Sequence, residues 1–545
     1  MRQVVIVGGV AGGMSAATRL RRLDPDASII VLEKSSYVSY ANCGLPYYVG
    51  GVISSQEDLL LQTPESLHAR FALDVRIRSQ VTSIDREGKK VQVEDLSTGR
   101  AYELAYDQLI LSPGAQPVVP PIPGIERALT LRTVEDVTRI VDAVAAQPAN
   151  AVVIGGGFIG VETAENLRHR GIETSLIEAL DQVLSPLDAE MAIPVAHEMR
   201  KHGVHLHLGK SVAAIHENTV ELSDGIQIDA ELVILAIGVK PDVSLAKSAG
   251  LEIGPRGGIS TNNFNQTIDP SIYAIGDAAE KVDALDGSIS LVPLANIANR
   301  QGRVVADHIV GREVRWVPAM GTAIVKVFDL TIATTGWNEK RLKAANREYL
   351  AIHAHPGSHA VYYPGAKSMA LKLLVDPQTN LIMGAQGVGR DGVDKRIDVI
   401  ATAMRGGLRA EELADLELAY APPFGSAKDP INMLGYMAEN LTSGFTKSVQ
   451  WNELDSQVKG GAVLIDVRSE SEFARGHIPN ALNISVDDLR DRISEIPRAE
   501  LVIYCQVGQR GHTATALLRE RGFDAVNLDG GYQTWVHSPA ANANR

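Results

Sequence analysis

Only two of the 545 residues are cysteine, so a disulfide framework is excluded and Cys43 and Cys505 must each be read from its own neighbourhood. Long hydrophobic runs are missing as well. The stretches 4–7 and 232–237 end in glycine, well short of the roughly 20 residues that cross a bilayer. A concentrated basic run is also lacking, and 52 Lys and Arg stand against 65 Asp and Glu, a formal charge of −13. The counter-ion release that drives nucleic-acid binding therefore has no source, and an anionic ligand needs a local basic pocket. The start, Met1-Arg2-Gln3 followed by an apolar run and glycines, reads as a fold element rather than a targeting segment, so a cytoplasmic location is expected. What is present suits a globular chain: 45% hydrophobic and 21% charged residues, with 49 glycines and 25 prolines spread along it, exclude bulk disorder and collagen-like sequence. At about 150 residues per domain, three or four domains are expected.

The apolar run 3–7 opens onto Gly8-Gly9-Val10-Ala11-Gly12-Gly13, then a helical stretch over 14–23 and a second strand over 28–32 ending at Glu33. This is a βαβ unit. Its glycines permit a tight turn and close backbone approach, the helix N-terminus offers free N–H groups to a pyrophosphate, and Glu33 can accept ribose hydroxyls. Val10 stands where the G-x-G-x-x-G pattern has its middle glycine. The pattern returns complete at Gly155-Gly156-Gly157-Phe158-Ile159-Gly160, with a helix over 161–170 and a strand over 174–177 running into Glu178. Two such units suggest two dinucleotides, one held and one exchanging, as passing a hydride between them requires. Buried strands also end in Ser112-Pro113-Gly114 and in Gly276-Asp277, where Asp277 is placed to take a ribityl hydroxyl.

These four motifs, in this order, resemble the two-dinucleotide flavoprotein disulfide reductases over roughly residues 1–445. The resemblance implies an FAD-binding domain at 1–115 and 250–319, an NAD(P)H-binding domain at 116–249 and an α+β dimerisation domain at 320–445. With residues 450–545, described below, the expected fold class is α/β with two Rossmann-like domains. Glu178 favours NADH over NADPH, because a carboxylate pairs with ribose hydroxyls and repels a 2′-phosphate.

Typical members carry a C-x4-C pair, whereas here Cys43 is alone in Ser39-Tyr40-Ala41-Asn42-Cys43-Gly44-Leu45-Pro46-Tyr47. A lone thiol cannot store two electrons as an internal disulfide, so Cys43 must cycle through a mixed disulfide, a persulfide or a sulfenic acid. Asn42 is expected to cap a helix beginning at Cys43, whose dipole would favour the thiolate. The segment is similar to that of the coenzyme A-disulfide reductases, the single-cysteine branch. That similarity implies a homodimer whose sites are completed in trans by Tyr362 and Tyr420, with coenzyme A as substrate or mixed-disulfide ligand and Lys428 contacting it. Arg19 and Arg22, three apart and so on one helix face, are candidates for its phosphates, with Ser15, Ser39 and Asn42 as further contacts. A family position that often carries Lys falls on Phe71. His353, His355 and His359 lack a matching acidic or cysteine partner in sequence, so they read as a polar loop and no metal is expected.

Ser443-Gly444 breaks the pattern, and a new α/β unit starts near Val449. Asp466-Val467-Arg468, Gly476-His477-Ile478-Pro479, the strand 501–504 running into Cys505-Gln506-Val507-Gly508-Gln509-Arg510, and Leu528-Asp529-Gly530-Gly531 together resemble a rhodanese domain. The loop from Cys505 to Arg510 can converge N–H groups on one anion and hold a persulfide. The expectation is an FAD enzyme that uses NADH to reduce persulfide or disulfide bonds on coenzyme A or a related thiol, with sulfur transfer at Cys505. The alternatives are an NADH oxidase or peroxidase working through a Cys43 sulfenic acid, and a flavin or thiol sensor with a regulatory rhodanese domain. Neither a nucleic-acid nor a membrane partner is expected.

Overall fold

The computed structural model describes residues 2–543. They form two compact units, 2–181 with 203–321, and 182–202 with 322–543.

The first unit holds two parallel five-stranded sheets. One runs, in spatial order, Ile272–Ala274, Gln108–Leu111, Gln3–Val7, Ser28–Leu32 and Asp74–Arg76. The other runs Val204–Leu208, Glu173–Glu178, Asn150–Ile154, Leu232–Leu235 and Leu129–Thr130. Their central strands are almost uninterrupted Val, Ile and Leu because both faces are covered, which is why they read as apolar runs rather than alternating ones. The first glycine loop turns at Gly8 (φ +99°), and a Cβ on Gly13 would lie 1.9 Å from the Gly8 carbonyl oxygen, so helix and strand pack only through glycine. The helices begin earlier than the sequence suggests, at Ala11 and Phe158. Val10 occupies the N-cap position at φ −110°, a conformation open to any side chain, so the missing middle glycine does not disturb the turn. At the equivalent Gly157, a Cβ would meet nothing within 4 Å.

In the second unit an antiparallel sheet, ordered Ala323–Val327, Leu330–Gly336, Ile382–Gly389, Met369–Val375 and Leu350–Ala354, carries the helices Val393–Gly406 and Pro430–Thr442 over one apolar core. The helix Ala189–Lys201 belongs to this unit although in sequence it lies between the strands Glu173–Glu178 and Val204–Leu208 of the first unit. A parallel sheet, ordered Ser448–Val449, Ala525–Leu528, Leu501–Tyr504, Val463–Asp466 and Leu482–Asn483, forms the last domain with the helix Gln509–Glu520. Among the described residues no helix is long and apolar enough to cross a membrane.

Candidate active site

The strand ends of the first sheet open into a cavity of about 790 Å³ lined by Gly8, Val10, Ala11, Gly12, Glu33, Cys43, Ser112, Pro113, Gly114, Gly276 and Asp277. Its volume falls inside the roughly 300–1,000 Å³ of small-molecule sites. Glu33 is 7% exposed, and its carboxylate accepts the N–H of Gly9 at 2.8 Å and that of Ser35 at 2.9 Å. Burial raises its pKa and the two backbone bonds offset part of that rise. Gly9 and Gly13 shape the loop from behind the lining. Asp277 Oδ2 accepts Arg132 Nη2 at 2.9 Å, and Lys281, buried behind this turn, donates to the carbonyls of Gly276 (2.5 Å) and Ala279 (2.8 Å). Burial lowers the Lys281 pKa to about 8. Asn42 Oδ1, in the cavity wall, is buried with no hydrogen-bond partner among the described residues, a vacancy that suits a hydrogen-bonding ligand.

Cys43 sits in the same wall, but its setting differs from expectation. Asn42 caps nothing: residues Asn42–Gly44 form a single 3₁₀ turn preceded by Ala41, and the helix Leu45–Val49 follows with Pro46 in its first turn. The short turn gives no macrodipole to favour a thiolate. Although Cys43 is exposed to the cavity, surrounding protein atoms desolvate its sulfur. That burial, and then the charge of Glu162, push the thiol pKa up, while Arg132 pulls it down. Glu162 reaches the cysteine segment from the second glycine-loop helix, Phe158–His169, which packs against Leu45–Val49. It accepts a hydrogen bond from Tyr47 Oη at 3.0 Å. Its own pKa is raised to about 7, first by burial and further by Glu165, with the Tyr47 bond acting the other way.

In the second loop, Gly155 (φ +111°) sits where a Cβ would fall 2.4 Å from the Ala236 oxygen, and a Cβ on Gly160 would fall 1.9 Å from the Gly155 oxygen. Gly157 caps the helix, and Ile159 lies half-buried in its first turn. Glu178 accepts the N–H groups of Gly156 at 2.6 Å and Leu180 at 2.8 Å.

The proposed thiol-ligand residues separate. Ser15, Ser39 and Asn42 line the cavity, and Ser15 Oγ donates to Asn299 Oδ1 at 2.8 Å, which adds Asn299 to the wall. Arg19 is held by Asp307 at 2.7 Å, and Arg22 is exposed. Phe71 packs against the apolar core, so no cation stands there. In the second unit, Tyr362 and Tyr420 hydroxyls lie 3.0 Å apart on an exposed patch with Val361 and Phe424, and Lys428 is exposed. The bond to Tyr420 raises the Tyr362 pKa.

The histidines are not a polar loop. His353 is 1% exposed on the strand Leu350–Ala354, and His359 is buried with Nδ1 3.1 Å from the Ala360 oxygen. The acidic partners of His353, Glu190 and Asp529, lie 163 and 176 residues away, beyond any local reading. The nearby carboxylates Asp188, Glu190 and Glu339 surround Lys372 Nζ, which takes the place a cation would need.

Cys505 follows the strand Leu501–Tyr504 and is fully buried. Arg510 pairs with Glu472 through both terminal nitrogens at 2.8 and 2.7 Å. That pairing holds the Glu472 carboxyl down at about 2. Arg468 is buried, bound to Asp466 (2.6 Å) and Gln506 (3.0 Å), and lies 4.4 Å from the Tyr532 ring centroid.

Residues 2–302 match the sequence family described as pyridine nucleotide-disulphide oxidoreductase, and residues 322–429 match its dimerisation domain. The chain belongs to the pyridine nucleotide-disulphide oxidoreductases. Membership implies FAD and NAD(P)H, and the dimerisation domain implies a two-subunit assembly. Residues 450–538 match the rhodanese-like domain. The chain is 36% identical to the coenzyme A disulfide reductase of Staphylococcus aureus strain JH9 over 443 residues, 81% of this chain and all of that one. Among solved structures, the reduced CoADR-RHD of Bacillus anthracis shares 50% identity at a TM-score of 0.97, with 98% of both chains covered. The NAD-dependent persulfide reductase of A. fulgidus shares 38% at 0.92, covering 98% of this chain and all of that one. The water-forming NADH oxidase of Lactobacillus brevis shares 26% at 0.78, covering 82% of this chain.

In this oxidoreductase the first glycine loop, Glu33, Cys43 and the turns at 112–114 and 276–277 converge on one cavity, while Arg132, Glu162, Lys281 and Asn299 were missed. Arg132, Glu162 and Asn299 act through partners distant in sequence, such as Asp277, 145 positions from Arg132, whereas Lys281 acts on carbonyls two and five positions away. Only Glu162 carried a signal, a carboxylate in the first turns of a glycine-loop helix.

Proposed function

We propose that the chain is an FAD-dependent, NADH-driven reductase of persulfide or disulfide sulfur on coenzyme A or a related small thiol, joined to a sulfurtransferase. The observation that carries this reading is a solitary cysteine in the wall of the glycine-loop cavity. With no second thiol beside Cys43, the other sulfur must come from substrate. The coenzyme A disulfide reductases and the persulfide reductase among its relatives, and the rhodanese-like domain, support it. The oxidase relative is similar over 82% of this chain, but an oxidase reading leaves the sulfur-handling domain without a task.

In this mechanism Cys43 attacks the inner sulfur of a persulfide R–S–SH, forming Cys43–S–S–R and releasing sulfide. Two electrons and a proton then return Cys43 to a thiolate and free R–SH. Glu33 and Asp277 would hold a flavin, which when bound would supply the passage of that electron pair from a nicotinamide. Glu162, its pKa raised to about 7, takes the thiol proton as Cys43 becomes nucleophilic and then loses it to solvent, while the Tyr47 hydroxyl donates to its carboxylate. Tyr362 and Tyr420 of the partner subunit donate a hydrogen bond to the departing thiolate. Arg22, Ser15, Ser39, Asn42 and Lys428 hold the ligand.

The test is the intact mass and spectrum of the protein as purified. Flavin absorbance together with a coenzyme A-sized adduct that disappears in Cys43→Ser is expected; a colourless folded protein would end the reading. Two further results follow. NADH should exceed NADPH in kcat/KM by at least about tenfold, because Ala179, Leu180 and Asp181 beside Glu178 offer no cation to a 2′-phosphate; equal values would contradict it. Glu162→Gln removes the negative charge that raises the thiol pKa, so the midpoint for alkylation of Cys43 should move to lower pH. A midpoint that stays or rises would show that Glu162 does not govern the thiol.

A further inference from the structure

We propose that His353, a residue of the dimerisation sheet, positions the Cys505 sulfur site by gripping the turn that backs it. The backbone N–H and the ring Nδ1 of His353 both meet Asp529 Oδ2, at 2.9 and 2.6 Å, and both residues are buried. Asp529 opens the Gly530-Gly531 turn. The next residues reach the sulfur loop directly: the N–H of Tyr532 donates to the Cys505 carbonyl at 2.8 Å and that of Gln533 to the Gln506 carbonyl at 2.9 Å. A Cβ on Gly531 would fall 2.5 Å from the Cys505 oxygen and 2.8 Å from the Gly508 nitrogen, and one on Gly530 would fall 2.8 Å from the His353 Cβ. The histidine, the turn and the cysteine loop are thus in successive close contact, with no space for slack.

The same strand and the residue just after it hold the domain at two other points. Gln450 donates to the Ala351 carbonyl at 2.9 Å, and His355 Nε2 lies 2.7 Å from Thr534 Oγ1. On its far side His353 Nε2 meets Glu190 at 3.0 Å, and Glu190 is shared with Lys372, which also binds Asp188 and Glu339. Burial disfavours a charged His353, but the bonds to Asp529 and Glu190 prevail and raise its pKa to about 9, so the imidazolium is held at neutral pH. His355, facing His353 and His537, is driven the other way, to about 3, by burial first. A protonated ring with an acid on each nitrogen fixes the direction of the ring, and through Asp529 the turn.

The inference rests on the sulfurtransferase reading, and one experiment separates the two. In the full-length holoenzyme, transfer of sulfur from thiosulfate to cyanide is measured alongside NADH-dependent reduction of a small persulfide, for wild type, His353→Asn and His353→Gln. Asparagine places an N–H where Nδ1 stood, facing Asp529, whereas glutamine places one where Nε2 stood, facing Glu190. The expected result is a kcat for sulfur transfer kept within a few-fold in His353→Asn and lowered about 10- to 100-fold in His353→Gln, with KM for thiosulfate little changed. Persulfide reduction should be retained in both and so report an intact fold. Equal kcat in the two variants, whether high or low, would overturn the positioning role. Wild type that forms no thiocyanate would overturn the sulfurtransferase reading and this inference with it.

Discussion

Cys43→Ser should abolish NADH oxidation with every sulfur acceptor, a loss of at least about 10³-fold, while keeping its flavin absorbance. The size follows from the absence of a substitute: the only other cysteine, Cys505, is buried in the second compact unit, whereas Cys43 lies in the first, in the wall that carries the flavin motifs. Serine keeps the volume of the site but cannot form a bond to sulfur that two electrons will cleave. Cys505→Ser should behave differently. It should spare turnover of a small persulfide, which reaches Cys43 unaided, and impair turnover of polysulfide or a protein-bound donor, which needs conversion first. Loss of all turnover in Cys505→Ser with flavin intact would place Cys505 on the obligatory electron path. Full activity with every donor would make the last domain a binding module.

The second large effect concerns the tyrosines. A phenol that stabilises a leaving thiolate contributes about 10²-fold or more. Because the Tyr362 and Tyr420 hydroxyls are bonded to each other, either could cover for the other, so the informative variant changes both to Phe. Alone, that variant and Cys43→Ser should each be nearly inactive. Mixed as subunits, half of randomly formed dimers carry one chain of each kind. If the tyrosines act in trans, each mixed dimer has one site with both lesions and one with neither, which returns about a quarter of wild-type activity. No recovery would place the tyrosines in the same chain as the cysteine they serve, and a double-Phe variant that is active alone would show them idle. The exposure of Tyr362 (76%), Val361 (80%) and Phe424 (72%) on one patch supports the trans arrangement, because apolar side chains so exposed call for a covering surface.

The architecture was legible because its signals are local. A glycine loop between an apolar strand and a helix announces itself within thirty residues, and Glu33 and Glu178 fall where the second strand must end. What stayed hidden depends on closure in three dimensions. The expected N-cap at Asn42 rested on residue type alone, and whether a full helix follows is decided by packing of Leu45 and Val49, which leaves only one 3₁₀ turn before the helix. The electrostatics of Cys43 were misread for the same reason. Its thiol answers first to burial and then to Glu162, 119 positions on in sequence, rather than to the turn that holds it. His353 shows the largest gap. Three histidines in seven residues invite a local reading, yet an edge strand covered on both faces buries His353 against acids from two other segments.

The most direct test of the account is anaerobic turnover with coenzyme A persulfide, following NADH and sulfide together. One sulfide released for each NADH consumed, with no turnover in Cys43→Ser, is the predicted result. NADH consumption that requires oxygen and yields water or peroxide without sulfide would contradict it.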